Sequence, residues 1–308
     1  MKQAKIRSYF KNHLNVWWLR PESALCDAIS SIEISKYKIS LPSLDLGCGN
    51  GIFSFITAGG ELSIDYDWFI NIDTKGFWLG KDIYDYFKVN KLNKYIIKRA
   101  EYSFTYGLDI KTNLLKQAAA LGLYQNIIRH DANSPLPFKE YEIKTAFSNI
   151  IYWLKDAERS LLGINKILTK NGIAILCIPS KKFYDYCITY QWKDRKSELL
   201  RLLNHGRSDS IYWTVSYEEF SKMAQNSGFE IVGYKSYLSP LILKIWDIGL
   251  RPLSPLLIKM ANIMDQKERR AIKIEWMDTV IKFLLNLYEI EESSKEEGGF
   301  HLFVLRKK

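Results

Sequence analysis

The stretch Asp45-Leu46-Gly47-Cys48-Gly49-Asn50-Gly51 constrains this chain more than any other. It follows a short apolar run, Pro42 to Leu46, and precedes helical spacing from Ile52 to about Ala58, which Gly59-Gly60 stops. Three glycines at alternate positions let the backbone turn tightly, approach a ligand closely and present its N–H groups to it. A strand entering such a turn and a helix leaving it predict a β-α unit whose ligand sits at the carboxyl end of the strand. Two common phosphate-binding patterns do not fit. The dinucleotide fingerprint needs glycine where Ile52 stands, and the P-loop needs a Gly-Lys-Ser/Thr run that is missing here.

The chain around the turn keeps the rhythm of an open α/β sheet. Residues 21–31 predict a helix with Pro21 in its first turn. Strands are expected at 42–46, 104–109, 124–129, 145–149, 173–178, 229–237 and 300–305. A helix capped by Thr112 and closed by Gly122 is expected at 112–121, and another at 156–169, closed by Asn171-Gly172. A third, at 216–227, opens on a capping box of Ser216 and Glu219. Strands alternating with helices of about ten residues imply parallel β-α-β units. Three segments break the rhythm and read as insertions: 61–104, aromatic and acidic with basic residues toward its end; 181–214, polar and helix-prone; and 240–296, helical with several prolines and ending in an acidic loop at 289–297.

The D-x-G-x-G-x-G pattern after a strand resembles the first motif of class I S-adenosylmethionine-dependent methyltransferases, in their small-molecule subgroup. That resemblance implies a single domain over 1–308 with a Rossmann-like, seven-stranded, mostly parallel sheet, helices on both faces and an antiparallel last strand. The insertions would carry acceptor specificity, those at 181–214 and 240–296 forming the acceptor-side lid. S-adenosylmethionine is the implied cofactor, held by Asp45, Gly47, Cys48, Gly49, Asn50 and Gly51. Tyr106-Gly107-Leu108-Asp109, with Ile110 next, looks like the end of the family's second strand, where a carboxylate's two oxygens accept from both ribose hydroxyls. Asp65 is a rival, lying 20 residues after Asp45 against 64 for Asp109. Asp109 is preferred because a helix, a strand and a further acidic residue follow it in order. That further residue, Asp131, would receive the adenine amine, with the Ala132 N–H beside it; an ordinary Asx turn is the alternative.

Ser148, Asn149 and Trp153 are placed by the same resemblance at the border between cofactor and acceptor, Trp153 alternatively being core. Ile167 to Gly172 resembles the family's turn after its next helix, with Asn171 where proline usually stands. Trp17-Trp18-Leu19-Arg20-Pro21-Glu22 is similar to a leader segment of a bacterial subgroup. The implied reaction moves a sulfonium methyl to an acceptor in line, so positioning supplies much of the acceleration. An oxygen nucleophile would also need a proton acceptor. His205 and Tyr152 are the candidates, with His130 and Asp185 behind them, by type and location only. The fourth strand end reads Ser148-Asn149-Ile150-Ile151, unlike the Asn-Pro-Pro-Tyr tetrapeptide of adenine and glutamine amino methylation. A small-molecule, glycan or lipid-type acceptor is therefore expected.

Charge keeps a second class open. Lys and Arg number 44 against 34 Asp and Glu, a net +10 that favours anionic partners. With the basic, aromatic stretch Lys88–Arg99 it motivates an RNA-modifying or nucleic-acid-binding alternative, although no RNA-binding module is recognisable and nucleic acid is not the expected partner. A non-catalytic cofactor-binding scaffold is the remaining alternative. Cys26, Cys48, Cys177 and Cys187 form no C-x-x-C pair, so neither a disulfide framework nor a metal is expected, and the expected setting is the cytoplasm. Neither a signal peptide nor a spanning helix is expected. Residues 240–263, densely apolar yet carrying Lys244, Arg251 and Lys259, are expected to be a lid, a homodimer contact or a surface touching the inner face of a membrane.

Overall fold

The computed structural model describes residues 2–72, 92–191, 211–250 and 253–308. Helices α1 (Lys2–Val16) and α2 (Pro21–Ile34) precede β1 (Ser43–Leu46), the glycine turn and α3 (Ile52–Thr57). A short antiparallel pair follows, β2 (Glu61–Leu62) with β3 (Ile96–Lys98). Then come β4 (Phe104–Asp109), α4 (Thr112–Ala120), β5 (Tyr124–Arg129), β6 (Ile143–Ser148), α5 (Ala157–Ile167) and β7 (Leu168–Pro179). Short helices α6 (Lys182–Tyr186) and α7 (Ile188–Gln191) lead toward α8 (Tyr217–Asn226) and β8 (Phe229–Tyr237). The chain continues through α9 (Pro240–Ile248), α10 (Ser254–Ile263) and α11 (Gln266–Ser293) to β9 (Phe300–Lys307).

Seven strands form one sheet in the order β5-β4-β1-β6-β7-β9-β8. The pairs from β5 to β7 are parallel, and β9 lies antiparallel between β7 and β8. This is the predicted sheet, with its last strand reversed. Side chains alternate between two buried layers, as a sheet covered on both faces requires. On β7, Ile173, Ile175 and Cys177 enter the layer shared with α1–α4 and α9–α11, while Ala174, Leu176 and Ile178 enter the layer shared with α5 and α8. Leu302 and Val304 of β9 join the first layer, Phe303 and Leu305 the second.

Several sequence expectations are corrected. Thr112 does not cap α4. It is the first helical residue, and Asp109 Oδ1 instead accepts from Lys111 N at 2.9 Å. Asn171-Gly172 lies inside β7 as a register shift: Ile143 pairs with Leu168 and Thr145 with Ile173, so residues 169–172 stand opposite Lys144 alone. Residues 289–293 are the end of α11 rather than a loop, with Glu291 turned inward to accept from Leu238 N (2.7 Å) and Ser239 N (2.8 Å) at the start of α9.

The helix α1 carries no clear apolar period because polar residues share its buried side. Asn15 Nδ2 donates to Leu62 O and Ser63 O, each at 3.0 Å, and His13 Nε2 lies 2.8 Å from Ser31 Oγ. With α11 it forms a cover over one face of the sheet, Phe10 meeting Tyr288 edge to face. Residues 64–67 are tied to α11 by Lys273 Nζ, which donates to Ile64 O (3.1 Å) and Tyr66 O (2.6 Å), and by the Arg269–Asp67 and Arg270–Asp65 pairs. No described helix is long and apolar enough to cross a membrane.

Candidate functional site

The glycine turn closes at the carboxyl end of β1, beside the ends of β4 and β6. Gly47 N and Cys48 N both donate to Leu108 O of β4, at 2.8 and 3.0 Å, which stitches the turn to its neighbour strand. All three glycines have positive φ: 80°, 56° and 75°. Their surroundings differ. A Cβ on Gly47 would meet Ile150 Cγ1 at 2.0 Å, and one on Gly51 would meet Tyr124 Cε2 at 2.8 Å, so these two glycines are required by packing. A Cβ on Gly49 meets nothing within 4 Å. That is the point where the backbone is left open to a ligand.

Asp109, half-buried at the tip of β4, stands at this opening. Its Oδ2 accepts from Gly49 N at 2.9 Å, which joins the preferred ribose carboxylate directly to the open glycine. Asp65 is elsewhere, exposed and paired with Arg270 at 2.7 Å. Beneath the turn, Asp45 is buried and its Oδ2 accepts from Ser54 Oγ and from Tyr124 OH, both at 2.6 Å. Burial pushes this carboxyl up to about 6, against the pull of those two hydrogen bonds and with the help of nearby Asp109. Asp45 thus braces the turn from below. Asn50 Oδ1 accepts from Ile52 N at 3.2 Å and shapes the entry to α3. Cys48 is buried, and burial first, then the carboxylates of Asp45 and Asp109, hold its thiol protonated.

The remaining residues fall into two groups. Exposed Ile110, Asp131 and half-buried Ala132 and Asn149 lie at the same edge of the sheet, at the ends of β4, β5 and β6. Asp131 Oδ1 closes an Asx turn, accepting from Asn133 N (2.9 Å) and Asn133 Nδ2 (3.0 Å), and those bonds hold its carboxyl below the usual range. Ser148 is fully buried and donates to Leu46 O at 2.9 Å, a tie between β6 and β1. Trp153 is 43% exposed, edge to face with Tyr152, whose ring also lies 5.9 Å from that of Phe300. His130 Nε2 lies 3.0 Å from Pro135 O, and Asp185 pairs with Lys182 at 3.2 Å on the surface. His205 lies outside the described residues, as does the first part of Lys88–Arg99. In the described part, Lys98 pairs with Glu61 and Glu101, and Lys94 lies over the Tyr95 ring. Among the described residues no three His, Cys, Asp or Glu side chains gather as a metal site.

Sequence reasoning missed Tyr124. Its ring lies under both Gly51 and Gly107, where a Cβ would come within 2.8 and 2.7 Å, and its hydroxyl holds Asp45. A tyrosine opening the third parallel strand gives no local signal of that role.

Strand order and turn together give the chain the class I methyltransferase fold. No family model matches it, and no curated protein does. Among solved structures it is similar to an S-adenosylmethionine-dependent methyltransferase of Thermotoga maritima, at 13% identity over 92% of this chain and 90% of that one, with a TM-score of 0.46. It is also similar to one from Thiobacillus denitrificans in complex with S-adenosyl-L-homocysteine, at 14% identity, 91% and 90% coverage and a TM-score of 0.45. The cyclase SpnF is a further similar structure, at 13% identity, 93% and 82% coverage and a TM-score of 0.43. These likenesses are distant, and the fold assignment rests on this chain's own sheet and turn.

Proposed function

We propose that the protein is an S-adenosylmethionine-dependent methyltransferase acting on a small-molecule, glycan or lipid-type acceptor. The observation that carries this reading is the open Gly49 with the Asp109 carboxylate bonded to its N–H. The space over Gly49 admits an extended ligand against bare backbone, and Asp109 keeps carboxylate lone pairs beside it for hydroxyl donors. When bound, S-adenosylmethionine supplies an electrophilic methyl on a sulfonium. Gly49, Asn50 and Asp109 would hold it, with Ile110 and Asp131 at its far end and Asn149 toward the acceptor. Tyr124, Asp45 and Ser148 keep the turn in shape from beneath. In the described part of the basic stretch Lys98 pairs with Glu61 and Glu101 and Lys94 lies over Tyr95, while Arg99 is exposed, a short basic surface beside the small-molecule reading. Fold alone does not give chemistry, so the test is direct. Calorimetry with S-adenosylhomocysteine should show binding. Labelled S-adenosylmethionine with fractionated cell extract should then transfer label to a low-mass or lipid fraction; label in RNA favours the alternative, and binding without any transfer favours a scaffold.

A further inference from the structure

A carboxylate that neither the fold nor the turn requires stands in the cover. Twelve of the fourteen residues of α2 are buried; the exceptions are Pro21, at the helix start, and Asp27, in its middle. No residue from Asn12 to Ser35 is exposed, yet the Asp27 side chain is 31% accessible. Burial nevertheless pushes its carboxyl up to about 7, against a hydrogen bond from Trp17 and the field of Arg20. Asp27 is thus the partly accessible carboxylate of an otherwise buried helix face.

A chain of contacts leads from Asp27 through His13 to Phe53 on the helix after the glycine turn. Trp17 Nε1 donates to Asp27 Oδ2 at 2.8 Å, and His13 Nδ1 lies 3.9 Å from the same oxygen. His13 is held from its other nitrogen by Ser31 Oγ, itself 2.7 Å from Thr57 Oγ1 at the end of α3. The His13 ring packs on Phe53, two residues past the glycine turn, and Phe53 stacks on Phe147 at the end of β6. Burial holds His13 down to about 3, so it is neutral and gives the carboxylate no counter-charge. Arg20 is engaged by Glu22 at 3.0 Å. Among the described residues Asp27 Oδ1 has no hydrogen-bonded partner.

We propose that Asp27 Oδ1 binds the acceptor, and that the acceptor is an amine held as its ammonium. The proposal rests on the methyltransferase reading for its chemistry. A cation restores the ionised carboxylate that burial disfavours, which a neutral hydroxyl does not. Before transfer one N–H bond of the ammonium breaks and an O–H bond forms at Oδ1. The electron pair of that N–H bond stays on nitrogen, as the lone pair that accepts a methyl group, and the ion pair becomes two neutral partners.

The test is calorimetric titration of the full chain with benzylamine, phenethylamine and 3-phenylpropylamine, with and without S-adenosylhomocysteine. At least one amine should bind, Asp27→Asn should weaken it tenfold or more, and benzyl alcohol should bind both proteins alike. In the wild type amine affinity should rise from pH 6 to 8, as Asp27 ionises while the amine stays protonated; His13, held neutral by burial, does not change over this range, and the paired Arg20 and Glu22 are the other charged groups nearby. A carbon-13 titration of the Asp27 carboxyl should shift downward on adding the amine, a readout that does not depend on the variant folding. No binding by any amine, equal binding in Asp27→Asn, or an unmoved carboxyl titration overturns the proposal. Failure of S-adenosylhomocysteine to bind overturns the methyltransferase reading instead.

Discussion

The glycine turn and the helical cover are built by opposite means. At the turn, backbone does most of the work: Gly47 N and Cys48 N reach Leu108 O, and Gly49 N reaches Asp109, all between strand ends already adjacent in the sheet. In the cover, side chains reach backbone across long stretches of chain. Lys273 reaches Ile64 O and Tyr66 O, Trp276 Nε1 reaches Trp18 O at 2.8 Å, and Asn15 reaches Leu62 O. A turn made of backbone tolerates little change at Gly47 and Gly51, and leans on the few side chains packed beneath it. A cover made of single long side chains depends on each of them, and its composition says little about its shape.

That contrast can be broken or sharpened by substitution. The largest effect is expected at Gly47→Ala, where the new Cβ meets Ile150 and the backbone is left-handed. Overpacking of about 1–3 kcal/mol and left-handed strain of roughly 1–2 kcal/mol add to a stability loss of about 2–5 kcal/mol in urea unfolding. Adding Ile150→Ala should relieve the clash and leave the strain. Asp109→Ala should lower S-adenosylhomocysteine affinity about ten- to a hundredfold, or about 1.5–3 kcal/mol, by calorimetry. Wild-type affinity in that variant would remove Asp109 from the site.

Lys273→Met tests the cover, because it leaves two carbonyls without their donor; a loss of about 1–3 kcal/mol in thermal unfolding is expected. Burial lowers this amine from 10.5 to about 8, so between those values the unfolded chain binds more protons than the folded one. Stability from this group therefore rises as pH climbs through that window, and the gap between wild type and Lys273→Met should widen from pH 7.5 to 9.5. Gly49→Ala is expected to cost only the left-handed strain, roughly 1–2 kcal/mol, while its Cβ enters the open space and weakens S-adenosylhomocysteine binding. The smallest effect is expected for Asp65→Ala, which loses an exposed pair worth below about 1 kcal/mol and leaves cofactor affinity unchanged.

The sheet was legible because each strand is a short apolar run closed by a turn residue. The expectations at 104–109 and 124–129 match β4 and β5 residue for residue, and the capping box at Ser216 and Glu219 opens α8 with both of its bonds. The glycine turn was legible as a pattern, although the different duties of Gly47, Gly49 and Gly51 depend on Ile150 and Tyr124, which no spacing rule connects to them. Helix α1 was not legible because Asn12, His13 and Asn15 are buried by bonding rather than by apolarity. Asp27 was hidden for the same reason: its setting is made by His13 of α1 and Trp17 of the turn after it, and a lone aspartate among Ala, Ile and Ser carries no mark of it.

The place of β9 has a consequence for the newborn chain. This strand pairs with β7 on one side and with β8 on the other, and Leu302 to Leu305 fill both layers of the core. Until it is synthesised, β7 and β8 have no bond to each other, and each presents an open edge on which another chain could add. The nascent protein must carry two sticky edges through the whole of α9, α10 and α11 before one strand seals them together. Holding those edges apart from other chains during synthesis is a task for a chaperone or for the early helices α1 and α2, and a ribosome pause near residue 300 would be a moment of high aggregation risk.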